Sequence, residues 1–330
     1  MTPAPAVLVT GGAGYIGSHA CKVLKAAGFL PVTYDSLITG WRDAVKFGPL
    51  EQGELDDRAR LDAVFDRWQP VAVMHFAALS QVGEAMKEPG RYWRHNVLGS
   101  LRLIEAAVAA GCLDFVFSST CATYGDQDGV VLDEDTAQTP INAYGGSKRA
   151  VENILADFAA SDGLRPVIFR YFNVAGADPE GEVGEHHRPE THLIPLMLDA
   201  IDGKRPALTV FGSDYPTRDG TCIRDYVHVM DLAEAHVLGL KWLQAGKGPR
   251  VFCLGTGTGF SVREVIEASR SVTNRPVPVV EGGRRAGDAV ALVSGSARAV
   301  AELGWKPHRS TMAMMIADAW RWHQNGSYSA

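Results

Sequence analysis

Residues 6–10 read AVLVT and pass directly into GGAGYIG, where Gly11, Gly14 and Gly17 recur at every third position. A short apolar run, a glycine turn and the helical spacing of Ile16 to Ala27 predict strand, tight turn and helix in that order. Glycines at this spacing let the backbone turn sharply and approach a pyrophosphate, whose charge is met by free N–H groups at the positive end of the helix. A second apolar run, Phe29 to Tyr34, stops at Asp35, 18 residues after Gly17. That is near the spacing at which a carboxylate accepts from adenosine ribose hydroxyls, and it would repel a 2′-phosphate. The expected cofactor is therefore NAD rather than NADP.

Further apolar runs at Val71–Ala78, Phe115–Ser119 and Val167–Val174 alternate with helix-period segments around 56–68, 96–110 and 147–160. Such alternation predicts an α/β chain with a Rossmann-type, doubly wound parallel sheet covered on both faces. After residue 177 the pattern changes to a segment rich in Gly, Pro, Glu and His, then to shorter elements. The expectation is an NAD-binding domain over 1–177 and a smaller C-terminal α/β domain for the substrate over 178–330. The chain is expected to re-enter the first domain around 226–257.

Thirty-two Lys and Arg against 38 Asp and Glu give a net charge of −6, so no global basic field gathers nucleic acid or an anionic membrane. The longest stretch free of charged residues, Trp68 to Gly83, is shorter than the ~20 residues a membrane helix needs. The N-terminus lacks a basic n-region, and the five cysteines form no C-x-x-C pair, which fits reduced thiols in a cytoplasmic protein.

Tyr144 and Lys148 stand four residues apart in NAYGGSKRAVE and project from one helical face. They follow a strand ending in Ser118, Ser119 and Thr120, downstream of the dinucleotide turn, so a phenol, an ammonium and a hydroxyl are set beside a nicotinamide. Bringing a phenol from pKa about 10 to neutrality takes roughly 4 kcal/mol of preferential stabilisation of the phenolate. Lys148 and the positive nicotinamide ring are the expected sources, leaving Tyr144 as a general base toward a hydroxyl.

With these residues in place, the chain resembles the extended short-chain dehydrogenases/reductases, and among them the UDP-glucose 4-epimerases, over nearly its whole length. The motifs are VTGGAGYIGSH, HFAALSQVGE, SSTCATYGD, YGGSK, RYFNVAGADPEG, DGTCIRDYVHVMDLA and RRAGD. The first motif and the Tyr–Lys pair specify the superfamily, whereas RYFN and RDYVHVMD point to the nucleotide-sugar branch. The resemblance implies NAD-dependent 4-epimerisation of UDP-glucose and UDP-galactose through a 4-keto intermediate, in a homodimer packed through the helices at 96–110 and 147–160.

The same resemblance implies the site residues. Tyr144, Lys148 and Thr120 would be catalytic. The cofactor would meet Gly11, Gly14, Tyr15, Ile16, Gly17, Asp35, Glu54, Leu55, Phe76, Ala77, Ala78, Asn96, Ser118 and Tyr171, together with Tyr144 and Lys148. The nucleotide-sugar would meet Thr120, Tyr144, Phe172, Asn173, His192, Leu193, Val210, Phe211, Arg224, Arg285, Asp288 and Leu292. Arg224 and Arg285 would grip the diphosphate, because guanidinium forks match its oxygens.

Three positions depart from the family pattern: Gly53–Glu54 replaces a Gly–Asp pair, Ser80 a lysine near the pyrophosphate, and His192 an asparagine at the sugar diphosphate. Cys121 and Ala122 stand where 4,6-dehydratases carry an Asp–Glu pair, which argues against that elimination. A non-catalytic NAD-responsive binding protein is disfavoured by Tyr144 and Lys148 together. UDP-xylose/UDP-arabinose 4-epimerases share several of the motifs, so a pentose remains an alternative substrate. Leu292 should disfavour an N-acetyl group. His186, His187 and His192 lack the helical i, i+4 pair plus a third ligand typical of zinc sites, so no metal is expected there. His75, inside an apolar run, is expected to be a satisfied strand-end histidine.

Overall fold

The structure is a computed structural model and describes residues 3–127, 131–285 and 288–329. In chain order the strands are β1 (Ala6–Thr10), β2 (Leu30–Asp35), β3 (Leu50–Gln52), β4 (Ala72–His75), β5 (Asp114–Ser118), β6 (Val131–Leu132), β7 (Arg165–Tyr171), β8 (Asn173–Ala175), β9 (Leu208–Phe211), β10 (Ile223–His228), β11 (Arg250–Leu254), β12 (Gly259–Ser261), β13 (Val279–Gly282) and β14 (Ala291–Ser294). The helices are α1 (Tyr15–Ala26), α2 (Arg58–Trp68), α3 (Val82–Lys87), α4 (Pro89–Tyr92), α5 (Gly99–Ala109), α6 (Ala143–Asp162), α7 (Leu193–Ile201), α8 (Val229–Gln244), α9 (Val262–Thr273) and α10 (Met312–Asn325).

Seven strands form one parallel sheet in the order β3–β2–β1–β4–β5–β7–β11. Every residue of β1, β4 and β5 is buried, as strands covered on both faces must be. Val7, Val9, Met74 and Phe169 pack under α1 and α8 on one face; Leu8, Val73, Phe115 and Ile168 pack under α2, α5 and α6 on the other. This is the doubly wound α/β architecture that the alternating pattern predicts. The helix starts are chemically marked: Asp57 and Asn142 accept from the backbone N–H of Arg60 and Gly145, and Ser261 with Glu264 forms a capping box.

The apolar run at Val167–Val174 breaks at Phe172. β7 stays in the large sheet, whereas β8 turns away to pair with β10, so that Asn173 lies opposite Tyr226. β10 also pairs with β12 and with β14, setting Arg224 opposite Leu292, and β14 pairs with β6. α8 then returns to pack on the face of α1, and β11 adds to the large sheet beside β7. A separate core of Ile194, Met197, Val265, Met315 and Ile316 joins α7, α9 and α10 behind the β9–β13 pair. Among the described residues no helix is long and apolar enough to cross a membrane.

Candidate active site

The β1–α1 turn is tight because only glycines fit it. Gly11 has φ +74°, and a Cβ there would stand 2.6 Å from the Ala77 nitrogen; at Gly17 it would stand 2.1 Å from the Gly11 carbonyl oxygen. The Gly11 turn thus lies directly against the Phe76–Ala77–Ala78 segment after β4, where the Phe76 and Ala77 N–H groups both donate to the Thr10 carbonyl. No side chain caps α1 and its first turn holds no acid, so the positive end of its dipole is left for an outside anion. Ile16 packs into the core beneath, while the Tyr15 phenol reaches away to donate to the Gly176 carbonyl at 2.6 Å.

Asp35 ends β2. Its Oδ2 accepts the Ala13 N–H at 3.0 Å and its Oδ1 the Leu37 N–H at 2.9 Å. Burial raises its carboxyl and these two bonds pull it back, and each oxygen keeps a lone pair free for a diol. Nearby, Tyr34 donates to the Glu54 carbonyl at 2.8 Å, and Leu55 packs where a Gly99 Cβ would reach it at 3.0 Å. The Asn96 amide is fully engaged: it accepts from Leu79 N–H at 2.8 Å and donates to the Leu79 carbonyl and the Ser147 hydroxyl, both at 3.0 Å. Asn96 therefore shapes the turn after β4. His75 is satisfied on both nitrogens, by Thr10 at 2.6 Å and Ser100 at 2.7 Å.

On α6, Lys148 Nζ donates to the Ser118 carbonyl at the end of β5 at 2.8 Å, with the Phe117 ring 4.8 Å away. The Ser118 hydroxyl meets the Tyr171 hydroxyl. Burial lowers Lys148 to about 7, with Glu152 pulling the other way. Burial also pushes the Tyr144 phenol up to about 12 against the Thr120 hydroxyl beside it. In the chain without dinucleotide, burial is the largest influence on both groups, and the expected stabilisation of the phenolate, by Lys148 together with the nicotinamide ring, belongs to the holoenzyme.

Sequence reading missed what stands behind Lys148. Glu152 continues the four-residue spacing of Tyr144 and Lys148, accepts from the Ser119 hydroxyl and pairs with Arg170 at 2.6 Å, with both side chains nearly inaccessible. Arg170 in turn donates to the Tyr124 hydroxyl at 3.1 Å. The i, i+4, i+8 series was the available signal.

Beyond Thr120 the floor is apolar: Cys121, Tyr124, Leu132, Phe172 and Cys253 cluster, with Leu292 packed against them. Burial holds the Cys121 thiol at about 11, with the nearby Arg224 pulling it down, which leaves no acid or base at the dehydratase position. Arg224 is held by two carbonyls, Ile223 at 2.8 Å and Ala289 at 2.9 Å, and lies 4.0 Å from Asp288. Asp288 accepts from Arg285 at 3.0 Å, and the Arg285 guanidinium stands 4.9 Å from the exposed Phe211 ring. Val210 faces inward. The second half of the site is thus one chain of contacts, Phe211–Arg285–Asp288–Arg224, ending beside Cys121. Ala286 and Gly287 of RRAGD lie outside the described residues.

Leu193 opens α7 with His192 as its N-cap, and the His192 Nδ1 is 2.9 Å from Glu190 and 3.1 Å from Glu185. His187 makes matching contacts, so two glutamates complete a cluster in which sequence reading saw only histidines. Burial opposes charge on both rings, yet the carboxylates raise His187 to about 9 and His192 to about 10. His186, by contrast, points to Trp41, with ring centroids 4.6 Å apart.

The comparisons agree with this geometry. Residues 7–255 match the family described as the NAD dependent epimerase/dehydratase family. A UDP-glucose 4-epimerase of Rhizobium leguminosarum bv. trifolii is 52% identical over 96% of this chain and 97% of its own length. The crystal structure of UDP-glucose 4-epimerase from Brucella ovis in complex with NAD superposes with a TM-score of 0.94 at 46% identity, covering 96% of this chain and 98% of that one. One from Stenotrophomonas maltophila with bound NAD and formylated UDP-arabinopyranose gives a TM-score of 0.93 at 40% identity over 97% and 98%. The uncapped α1, the glycine cradle and the half-engaged Asp35 fit a dinucleotide, and the chain belongs to the NAD-dependent epimerase/dehydratase family.

Proposed function

We propose that the chain is a UDP-glucose 4-epimerase in which Tyr144 removes the proton from the sugar 4-hydroxyl and later returns it. Bound NAD supplies a reversible hydride acceptor at the same carbon and a positive ring beside the phenol. The observation that carries this reading is the Tyr144 phenol beside Thr120, four residues from a Lys148 anchored to the Ser118 carbonyl. Lys148 orients the cofactor ribose and Thr120 shares the substrate's hydrogen bond. Burial raises the Tyr144 phenol in the chain without dinucleotide, and the positive charge that Lys148 and the nicotinamide ring would place beside it is assigned to its activation.

The sugar must be held loosely enough for its 4-keto form to present either face, so affinity belongs on the nucleotide. Arg224 and Arg285 are assigned to the diphosphate, Asp288 to the uridine ribose, the main chain of Val210–Phe211 to the uracil, and Phe172 and Asn173 to the sugar end. The 1–177 segment, with a return around 226–257, serves the cofactor, and 178–330 the nucleotide-sugar. We place the enzyme in the cytoplasm as a homodimer joined through the helices at 96–110 and 147–160, with Leu98 exposed in the first and Trp93 exposed just before it. A pentose is the second reading, favoured by the UDP-arabinopyranose derivative held by the Stenotrophomonas relative.

The test is conversion of UDP-glucose to UDP-galactose by the purified protein without added NAD, beside UDP-xylose and UDP-GlcNAc. Interconversion with co-purified NAD is expected. A dinucleotide-free protein that stays inactive when NAD is supplied would sink the assignment, and a preference for UDP-xylose would move it to the pentose.

A further inference from the structure

The loop between β8 and α7 is pinned through its main chain. Trp41 donates to the His186 carbonyl at 2.8 Å, Trp322 to the Glu185 carbonyl at 3.0 Å, and Lys46 to the Glu182 carbonyl at 2.6 Å. The Tyr328 hydroxyl accepts from Gly184 N–H at 3.0 Å. With the backbone so held, the side chains of Glu185, His187, Glu190 and His192 converge, one ligand atom from each lying within 4.8 Å of all the others. His187 Nδ1 is 3.3 Å from Glu185 and 3.4 Å from Glu190, and His192 Nδ1 is 3.1 Å and 2.9 Å from the same two carboxylates.

Each Nδ1 carries at most one proton, so two protons would have to serve four nitrogen–oxygen approaches. One cation at the centre serves all four. Metal bonds of about 2.0–2.1 Å in a tetrahedron put neighbouring ligand atoms about 3.3 Å apart, and the four nitrogen–oxygen distances here run from 2.9 to 3.4 Å. The Glu185 carboxylate is nine-tenths buried and has no partner other than these two imidazoles among the described residues. Two carboxylates balance a divalent charge with both imidazoles neutral. The neighbouring acidic trio is different: Asp178, Glu180 and Glu182 are already bridged by Lys22 at 2.5–2.7 Å.

We propose that Glu185-x-His187-x-x-Glu190-x-His192 is a tetrahedral N2O2 site for a divalent transition ion of the zinc class. Hard cations such as calcium and magnesium prefer six or more oxygens, whereas imidazole with carboxylate suits zinc. The His192 side chain is 46% exposed and gives the ion a way in from solvent. The ion takes no part in the reaction. It clips the loop to the N-cap of α7 through His192 and fixes His187, whose ring stands edge-on 6.4 Å from Tyr15 of the dinucleotide turn.

The experiment measures zinc per chain by elemental mass spectrometry on the full-length protein, then zinc affinity after chelator stripping in competition with a chromogenic chelator. We expect one zinc per chain, lost in His187→Gln and Glu190→Gln with affinity lowered by about 100-fold. His308→Gln, at an exposed histidine elsewhere, should keep one. Wild-type protein binding zinc no better than His187→Gln would overturn the site and leave an ion-pair cluster. Should the variants fail to fold, cobalt loaded into the wild type decides: the intense visible bands of a tetrahedral ion support the site, and a weak octahedral spectrum overturns it. No readout depends on turnover, so this proposal and the epimerase reading stand or fall separately.

Discussion

The two halves of the candidate site are built on different principles. In the half assigned to the cofactor, Tyr144, Lys148 and Glu152 come from one helix, rest on one parallel sheet, and are governed by burial, which raises the phenol and lowers the ammonium. In the half assigned to the nucleotide, Phe211, Arg224, Arg285 and Asp288 come from segments far apart in sequence and are governed by pairing with one another. A dry site makes each electrostatic change large, whereas a mutually paired one spreads the cost. Substitutions should therefore cost far more in the first half than in the second.

The largest effect is expected at Tyr144. Tyr144→Phe keeps the ring and removes the proton carrier, so kcat should fall about a thousandfold or more while UDP binding, read by calorimetry, is unchanged. Equal losses in binding and turnover would mean that the phenol supports the site rather than reacts in it.

Lys148→Met should lower kcat about a hundredfold, and it carries a pH signature. The folded lysine titrates at about 7 against an ordinary 10.5. Below pH 7 both folded and unfolded chains hold the proton, and the cost of burying the ammonium is felt in full. Between about 7 and 10.5 only the unfolded chain keeps it, so this group's contribution to stability rises with pH. In the dinucleotide-free chain, stability relative to Lys148→Met should improve by on the order of 1–2 kcal/mol from pH 7 to pH 9, read by urea unfolding. A flat difference would show that Lys148 is solvated, and the contrast between the two halves would fail.

Legibility in the sequence divides along the same line. Gly11, Gly14, Gly17, Asp35 and the Tyr144–Lys148 pair could be read because a strand, a turn and a helix impose fixed spacings on their neighbours. Arg170 could not be tied to Glu152, because that pair joins a helix to a strand and no local period links them. The strand break at Phe172 was also hidden, since an apolar run reads the same whether it stays in one sheet or crosses to another. The glutamate partners of His187 and His192 were hidden for a related reason. In a loop with no period, nothing said that His186 would turn to Trp41 while Glu185 and Glu190 turned inward beside His187 and His192.

Smaller effects belong to the arginines, and they should be unequal. Arg224 is 13% exposed and oriented by two carbonyls, whereas Arg285 is 55% exposed and hydrogen-bonded only to Asp288 among the described residues. A preoriented fork loses more when replaced by a flexible ammonium. Arg224→Lys should raise the KM for UDP-glucose about thirtyfold and Arg285→Lys about threefold, with kcat nearly unchanged in both. Equal losses would mean that the carbonyls do not orient Arg224 for its ligand.

The smallest change tests where the two halves meet. Leu292 lies opposite Arg224 in the β10–β14 pair and packs with Phe172, Tyr124 and Cys121, one residue from Thr120. Its side chain packs on the apolar floor and carries no charge, so trimming it chiefly alters room. Leu292→Gly should raise the ratio of kcat/KM for UDP-GlcNAc over UDP-glucose by about tenfold, as expected for a few methylene groups of space. Stability should fall as well, because the cluster loses a packed side chain. If the ratio stays fixed while stability falls, Leu292 belongs to the floor alone, and the sugar's acyl group is accommodated elsewhere in the site.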